Sequence, residues 1–263
     1  MNPGETFEIQ CYEYLRKTYT QKSSDFLREG GMNSFKSDIA VIRNGKIKYY
    51  IDVKDANAQS GQFVLIPDLK SKKFSFSQKN KSKPNYITEI IIKHMNTDFE
   101  HFNNAGTAGK EINVDSRIFA KWITEYYKHK NVKYFISYKN NYVIFPIRKF
   151  SEYFDVSATY RIKKSGSSAP SKKYVQSIKK IIKDTYTSSE FFTSGNKLFA
   201  DIKEIVSDDK FSFGKYTYYL SKKGNDTYEV RQLSNTYNMN VIFSIHLKKS
   251  PDSNDILEFE NDL

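Results

Sequence analysis

An α/β fold is what this sequence predicts: a mixed β-sheet flanked by helices over residues 1–150, then a C-terminal α+β subdomain over 151–263. Three observations carry that expectation. Hydrophobic periodicity through the first part runs helix, strand, strand, helix, strand, strand, the pattern of layers packed around one sheet. Asn44-Gly45 lies between two alternating β-branched runs and marks a tight hairpin. The composition then shifts at residues 157–173, SATYRIKKSGSSAPSKK, to a Ser-, Gly- and Lys-rich stretch that reads as a boundary or surface loop.

Residues 4–19 form the first expected helix. Phe7, Cys11, Tyr14, Leu15 and Thr18 share one face, with Glu5 and Glu8 early and Arg16 and Lys17 late, as the helix dipole favours. A break follows at Gly30-Gly31. Ser37–Arg43 and Lys48–Lys54 are the two strands of the hairpin. Residues 55–84 are polar and Lys-rich and read as a loop with one short strand at Gln62–Ile66. Residues 85–103 read as a helix with Ile87, Ile90, Ile91, His94 and Met95 on one face. Asp115 or Ser116 caps another over 117–129, with Ile118, Phe119, Trp122, Ile123 and Tyr126 inward. Val132–Tyr138 and Tyr142–Ile147 are strands turned at Asn140-Asn141. A basic helix is expected at 172–185 and strands at 211–220, 227–233 and 240–248, with a turn at Gly224-Asn225-Asp226.

Aromatic residues make up 16% of the chain, with 20 Tyr and 20 Phe, so the core is expected to be aromatic and the chain globular. The formal net charge is +12, which points to a polyanionic partner, nucleic acid before an acidic membrane surface. A Lys-rich surface without any such partner is the plain alternative. The single cysteine, Cys11, excludes a disulfide framework and a Cys-based zinc site. The scattered histidines carry no metal-ligand spacing. The first residues lack the pattern of a secretory signal, and no apolar stretch is long enough to span a bilayer, so a soluble, cytoplasmic protein is expected. No phosphate-binding Gly-rich loop occurs, so no nucleotide cofactor is expected.

The hairpin holds the candidate chemistry. Asp52 and Lys54 stand two apart on one strand and share a face, with Val53 on the other, in the core. Pairing about Asn44-Gly45 brings Asp38 beside them. Two carboxylates and a backbone carbonyl, here Asp38, Asp52 and Val53, suit a hard divalent cation such as Mg²⁺. Such a cation lowers the pKa of a bound water, and an adjacent lysine can orient or deprotonate that water and offset phosphoryl charge. A solvated face with an ion pair is the plain alternative for Asp-Val-Lys alone.

These residues resemble the PD-(D/E)xK nuclease superfamily and, within it, the type II restriction endonucleases. The family's strand acid matches Asp38 in Ser37-Asp38, where a Ser replaces the frequent Pro. Its (D/E)xK element matches Asp52-Val53-Lys54, and its helix-borne acid in Gly-x-x-Phe-Glu matches Glu8 in Gly4-Glu5-Thr6-Phe7-Glu8. The resemblance implies a restriction-endonuclease-like core, Mg²⁺, double-stranded DNA as substrate, a homodimer on a palindromic site, and a C-terminal recognition or dimerisation subdomain. Relatives often carry a glutamine after the lysine, and of Gln59 and Gln62 the latter is the candidate here.

Two basic segments are expected to contact DNA. Lys72 and Lys73 belong to the run Lys70–Lys83, interleaved with Phe74 and Phe76. Arg161, Lys163, Lys164, Ser165, Ser167, Lys172 and Lys173 belong to the second, where a guanine-reading Arg, point charges and small residues combine. Arg231 and Gln232 are further candidate base readers. The competing expectations are a structure-specific or repair nuclease of the same superfamily and a non-catalytic DNA-binding module.

Overall fold

The structure, a computed structural model, describes residues 3–29, 37–206 and 209–263; the expected Gly30-Gly31 break lies outside them. In chain order the elements are α1 (Pro3–Thr18), β1 (Asp25–Arg28), β2 (Ile39–Arg43), β3 (Lys46–Val53), β4 (Asn57–Asp68), β5 (Lys73–Phe76), α2 (Tyr86–Thr97), α3 (Phe99–Asn103), β6 (Lys110–Glu111), α4 (Ser116–Lys128), β7 (Val132–Tyr138) and β8 (Tyr142–Pro146). They continue with α5 (Phe150–Tyr153), β9 (Phe154–Lys164), β10 (Ser167–Ser168), α6 (Val175–Thr185), β11 (Glu190–Ser194), β12 (Lys197–Asp201), β13 (Lys210–Phe213), β14 (Tyr216–Lys222), β15 (Thr227–Leu233), β16 (Tyr237–Leu247) and α7 (Ser253–Asp262). No helix among the described residues is long and apolar enough to cross a membrane.

Local chemistry fixes several boundaries. Asn44 and Gly45 both take positive φ, 53° and 70°, as a two-residue hairpin between β2 and β3 requires. Asn85 caps α2 by accepting from the Thr88 N–H at 2.9 Å. The helix expected over 85–103 breaks at Asp98, which leaves helical geometry and caps α3 in turn. Asp115 caps α4 by accepting from the Arg117 N–H at 2.9 Å.

The chain divides into two compact units. The first runs to Arg161 and resumes with Met239–Leu263; the second is Ile162–Asn238. A boundary drawn at 150 therefore falls short, because β9 and β16 both complete a sheet of the first unit. That unit contains two sheets rather than the single one expected. The first has the order β1-β2-β3-β7-β8, with β3 and β7 parallel and the other pairs antiparallel. The second has the order β5-β4-β16-β9-β6.

One face of the first sheet presents Ile51, Val53, Tyr134 and Ile136 to Cys11 and Leu15 of α1 and to Phe259 of α7, all buried. The other face meets α4, where Tyr127 stacks edge-on against Phe135. The same helix meets the second sheet through Trp122, whose ring lies 4.4 Å from Phe243 and 5.6 Å from Phe63. So α4 is packed between two sheets, and the aromatic composition is spent there. The second unit has its own sheet, β11-β12-β15-β14-β13 with β10 beside β15. Ile178 and Ile182 of α6 cover it over Leu198, Tyr218 and Val230.

Several segments differ from the expectation. Residues 55–84 hold the long strand β4 and the hairpin to β5, not a loop. Its alternation is broken by a bulge at Gly61, where the register against β16 shifts. Ser60, Phe63 and Leu65 are the buried positions, a spacing that does not read as a strand. Residues 157–164 continue β9, with Val156, Ala158 and Tyr160 buried in alternation. The run 211–220 is two strands turned at Gly214, φ 59°. The elements β1, β11, β12 and α7 carry too short or too polar a pattern to be anticipated.

Gly61 permits the bulge for two reasons. Its φ is +101°, and an added Cβ would lie 2.7 Å from Trp122 Cζ3. That indole cannot retreat, since its Nε1–H donates to Thr88 Oγ1 at 3.0 Å. Gly61→Ala is expected to cost about 1–3 kcal/mol in denaturant unfolding. A variant as stable as the parent would refute this account of the bulge.

Candidate active site

Asp52 is positioned by the centre of a sheet. Strand β3 pairs antiparallel with β2 on one side and parallel with β7 on the other, so Asp52 lies beside Phe135 in register. Its side chain points away from Val53 and the α1–α7 core, towards α4, and only 4% of the residue is exposed. Lys54, on the same face just beyond the strand, places Nζ 2.5 Å from Asp52 Oδ2. Tyr127 of α4 covers the ammonium, with its ring centroid 5.1 Å from Nζ.

Asp38 stands immediately before β2, not within it. Its Oδ2 accepts from the Val53 N–H at 2.8 Å, between the two residues of the Asp52/Lys54 pair. One backbone hydrogen bond thereby ties the two strand acids into one site. Glu8 of α1 joins from the helix side: its carboxyl is raised by burial and then by the charge of Asp38, which places the two acids in one field. Arg28 of β1 approaches Glu8 Oε1 with Nη1 at 3.7 Å. Asp38, Asp52, Lys54 and Glu8 are therefore brought together as the sequence predicts.

The electrostatics follow from burial. Desolvation pushes the Asp52 carboxyl up to about 7, against the lowering pull of Lys54 and with a further push from Asp38. Burial also opposes charge on Lys54, yet Asp52, Tyr127 and Asp38 together overcome it and hold the ammonium well above its ordinary pKa. Lys54 is thus the firmly charged member, and Asp52 the one whose charge is costly.

A hard divalent cation fits this donor set. Glu8 Oε1 and Asp52 Oδ2 are buried without a directed hydrogen bond, and all donors are oxygens, which a hard cation prefers. Among the described residues no three His, Cys, Asp or Glu side chains close into a ligand cluster. The ligands would therefore be the Asp38 and Asp52 carboxylates with the Val53 carbonyl.

Other predicted residues are not brought to this cluster. Gln62 is exposed on β4, opposite Ile242, and no hydrogen bond or ion pair joins its side chain to the four. The β4 residue that turns inward is Ser60, fully buried, on the side of Tyr127. Residue spacing points to Tyr126 on α4, but Tyr127 is the buried one; the series Phe119, Ile123, Tyr127 is the signal that finds it. Nothing in the sequence distinguishes Arg28 or Ser60.

The basic segments sit in strands and turns. Lys72 takes a positive φ in the β4–β5 turn and pairs with Glu100 at 3.0 Å, and Lys73 begins β5. Arg161, Lys163 and Lys164 end β9, and Lys172 and Lys173 lie in a 3-10 turn before α6. Ser165 binds the Ser234 hydroxyl at 3.0 Å. Arg231 is committed internally, donating to Ser167 Oγ at 2.8 Å and to Glu229 at 2.7 Å, so it is not a free base reader.

The chain is similar over nearly its whole length to a solved structure, HhaI endonuclease in complex with DNA. The two are 39% identical, the match covers 99% of this chain and 98% of that one, and the TM-score is 0.79. No protein-family model and no curated protein matches.

The Asp52/Lys54 pair makes a signed prediction about stability. A carboxyl raised in the folded state stabilises the fold when protonated, and that contribution is lost as pH rises through its folded pKa. Lys54→Met removes the nearest cation and raises Asp52 further, at about 1.4 kcal/mol per unit. In metal-free buffer the variant should melt higher at pH 6 than at pH 8, by a wider margin than the parent. Equal pH slopes in the two proteins would show that the pair is not coupled as described.

Proposed function

The chain belongs to the type II restriction endonucleases, and on that premise we propose that it cuts both strands of duplex DNA at a short specific site using Mg²⁺ held by Asp38, Asp52 and the Val53 carbonyl. The observation that carries the site assignment is the Val53 N–H to Asp38 hydrogen bond, which gathers both acids and Lys54 onto one end of β3.

A divalent cation bound there supplies Lewis acidity, acidifying a coordinated water and offsetting charge on the phosphate. The protein's own groups do the rest. Asp38 and Asp52 hold the cation on one side of the scissile phosphate. Lys54 remains an ammonium beside Asp52, so its part is to orient the attacking water and stabilise charge on phosphate oxygen rather than to take up a proton. Tyr127 keeps bulk water from that ammonium and holds its position. Glu8 adds negative charge behind Asp38 and is a supplementary acid of the site.

Duplex DNA is the substrate that the net charge of +12 and the likeness to a DNA-bound endonuclease both favour. Lys72 and Lys73 in the first unit, and Arg161, Lys163, Lys164, Ser165, Ser167, Lys172 and Lys173 around the start of the second, are the proposed backbone contacts. The second unit, with its own sheet and core, is the proposed DNA-contacting subdomain.

Digestion of plasmid with Mg²⁺ should give discrete fragments, and chelation should stop it. A smear, or cutting confined to forks and junctions, would instead indicate a structure-specific nuclease. Asp52→Ala and Lys54→Ala should each lower cleavage by about 10²–10³-fold or more while retaining salt-sensitive duplex binding. If both variants still cut at the parental rate, the active site lies elsewhere.

A further inference from the structure

The first unit carries a second charged feature, at the opposite end of β3 from Asp52. It is an open cleft of about 540 Å³ where the chain enters β3 and β7, lined by Arg43, Lys48, Tyr49, Lys128 and Lys133, with Asp262 at its edge. Its charges are not equal in availability. Lys133 is paired with Asp262 at 2.6 Å and Lys128 with Glu125 at 2.9 Å. No such partner engages Arg43 or Lys48, both exposed, among the described residues.

The backbone aims these two groups. The β2–β3 register passes from Val41 opposite Tyr49 to Ile42 opposite Ile47, which leaves Lys48 as the extra residue of a bulge. A bulge re-aims the side chain it carries. Beneath lies Tyr49, 6% exposed, whose hydroxyl is buried with no hydrogen-bond partner. A buried hydroxyl left unsatisfied is costly unless a ligand completes it. Desolvation and the nearby Asp262 both keep that phenol protonated, hence a donor.

We propose that this cleft binds a backbone phosphate of duplex DNA outside the catalytic contact, with Arg43 and Lys48 supplying charge and the Tyr49 hydroxyl a hydrogen bond. A shallow, solvent-open cationic cleft suits a phosphodiester strand running across it and encloses too little to hold a small molecule. The proposal rests on the reading of the chain as a DNA-cutting enzyme. It adds a distance: Lys48 and Lys54 are six positions apart on one strand, roughly 20 Å at ~3.3 Å per residue. At ~3.4 Å per base pair, the contacted phosphate lies about six pairs or more from the one being cut.

The test is binding in chelator, as a function of salt, to a duplex of about 24 base pairs and to a hairpin of about five, too short to reach both sites. For Arg43→Ala/Lys48→Ala on the long duplex, the slope of log affinity against log salt should become shallower by about 1.8, that is ~0.9 for each of two lost phosphate contacts. On the short hairpin the variant and parent should bind alike. Tyr49→Phe, which keeps the ring, should weaken long-duplex binding several-fold with an unchanged slope. An unchanged slope on the long duplex, an equal loss at both lengths, or no effect of Tyr49→Phe would each overturn the proposal. A parent that binds neither DNA would overturn it together with the functional reading, whereas a parent that binds alongside an unaffected variant overturns the cleft alone.

Discussion

Two opposite charges, Asp52 and Lys54, are taken out of water side by side, and that desolvation is the cost the surrounding architecture offsets. Removing a charged pair from solvent is unfavourable unless its geometry is good and its neighbours supply further favourable contacts. The neighbours here are arranged for it. The central strand β3 fixes both backbones through pairing on its two edges. Tyr127 places a ring face against the ammonium. Asp38 is held by a main-chain hydrogen bond instead of by competing with Asp52 for Lys54. The imbalance that remains, a carboxyl pushed upward and a buried oxygen without a directed partner, is what makes the site receptive to a divalent cation.

Helix α4 connects this site to the rest of the first unit. Its Tyr127 faces the first sheet and its Trp122 the second, so the residue that covers Lys54 shares a rigid rod with the residue that seats β4. The bulge at Gly61 allows β4 to approach that rod closely and turns Ser60 inward. Catalytic geometry and aromatic packing are consequently one structure, and a substitution under Trp122 would be felt near Lys54 without touching it.

The site was more legible in the sequence than the fold around it. Asp38, Asp52 and Lys54 announce themselves because an Asn-Gly hairpin forces their register, and a hairpin is a local signal. The strand β3 also tells its buried face by alternation. By contrast β4 hides because one bulge changes which residues turn inward, and β9 hides because its end is Ser-, Lys- and Arg-rich. The pairing of β4 with β16 joins residues far apart in sequence, and no local pattern encodes it. Tyr127 and Ser60 acquire a role only from that packing, and Arg28 only from the approach of α1 to β1. Gln62, placed by analogy of spacing alone, is the residue that spacing misplaced.

The last helix has an implication for the order of events during synthesis. Phe259 of α7 packs against Tyr19 and Tyr134, and Ser23 donates to the Leu263 backbone oxygen at 2.9 Å. The core behind the catalytic hairpin is thus closed by residues made about two hundred positions after Asp52. At ~5–20 residues per second a ribosome takes roughly 10–40 s to cover that interval. Through all of it the sheet that carries the acids lacks part of its hydrophobic backing, while the second unit, encoded between the two halves, has already emerged. A stalled or truncated nascent chain would hold the chemical groups for cutting DNA but not the backing that fixes them, so the architecture itself delays the hydrolase until translation has passed the second unit.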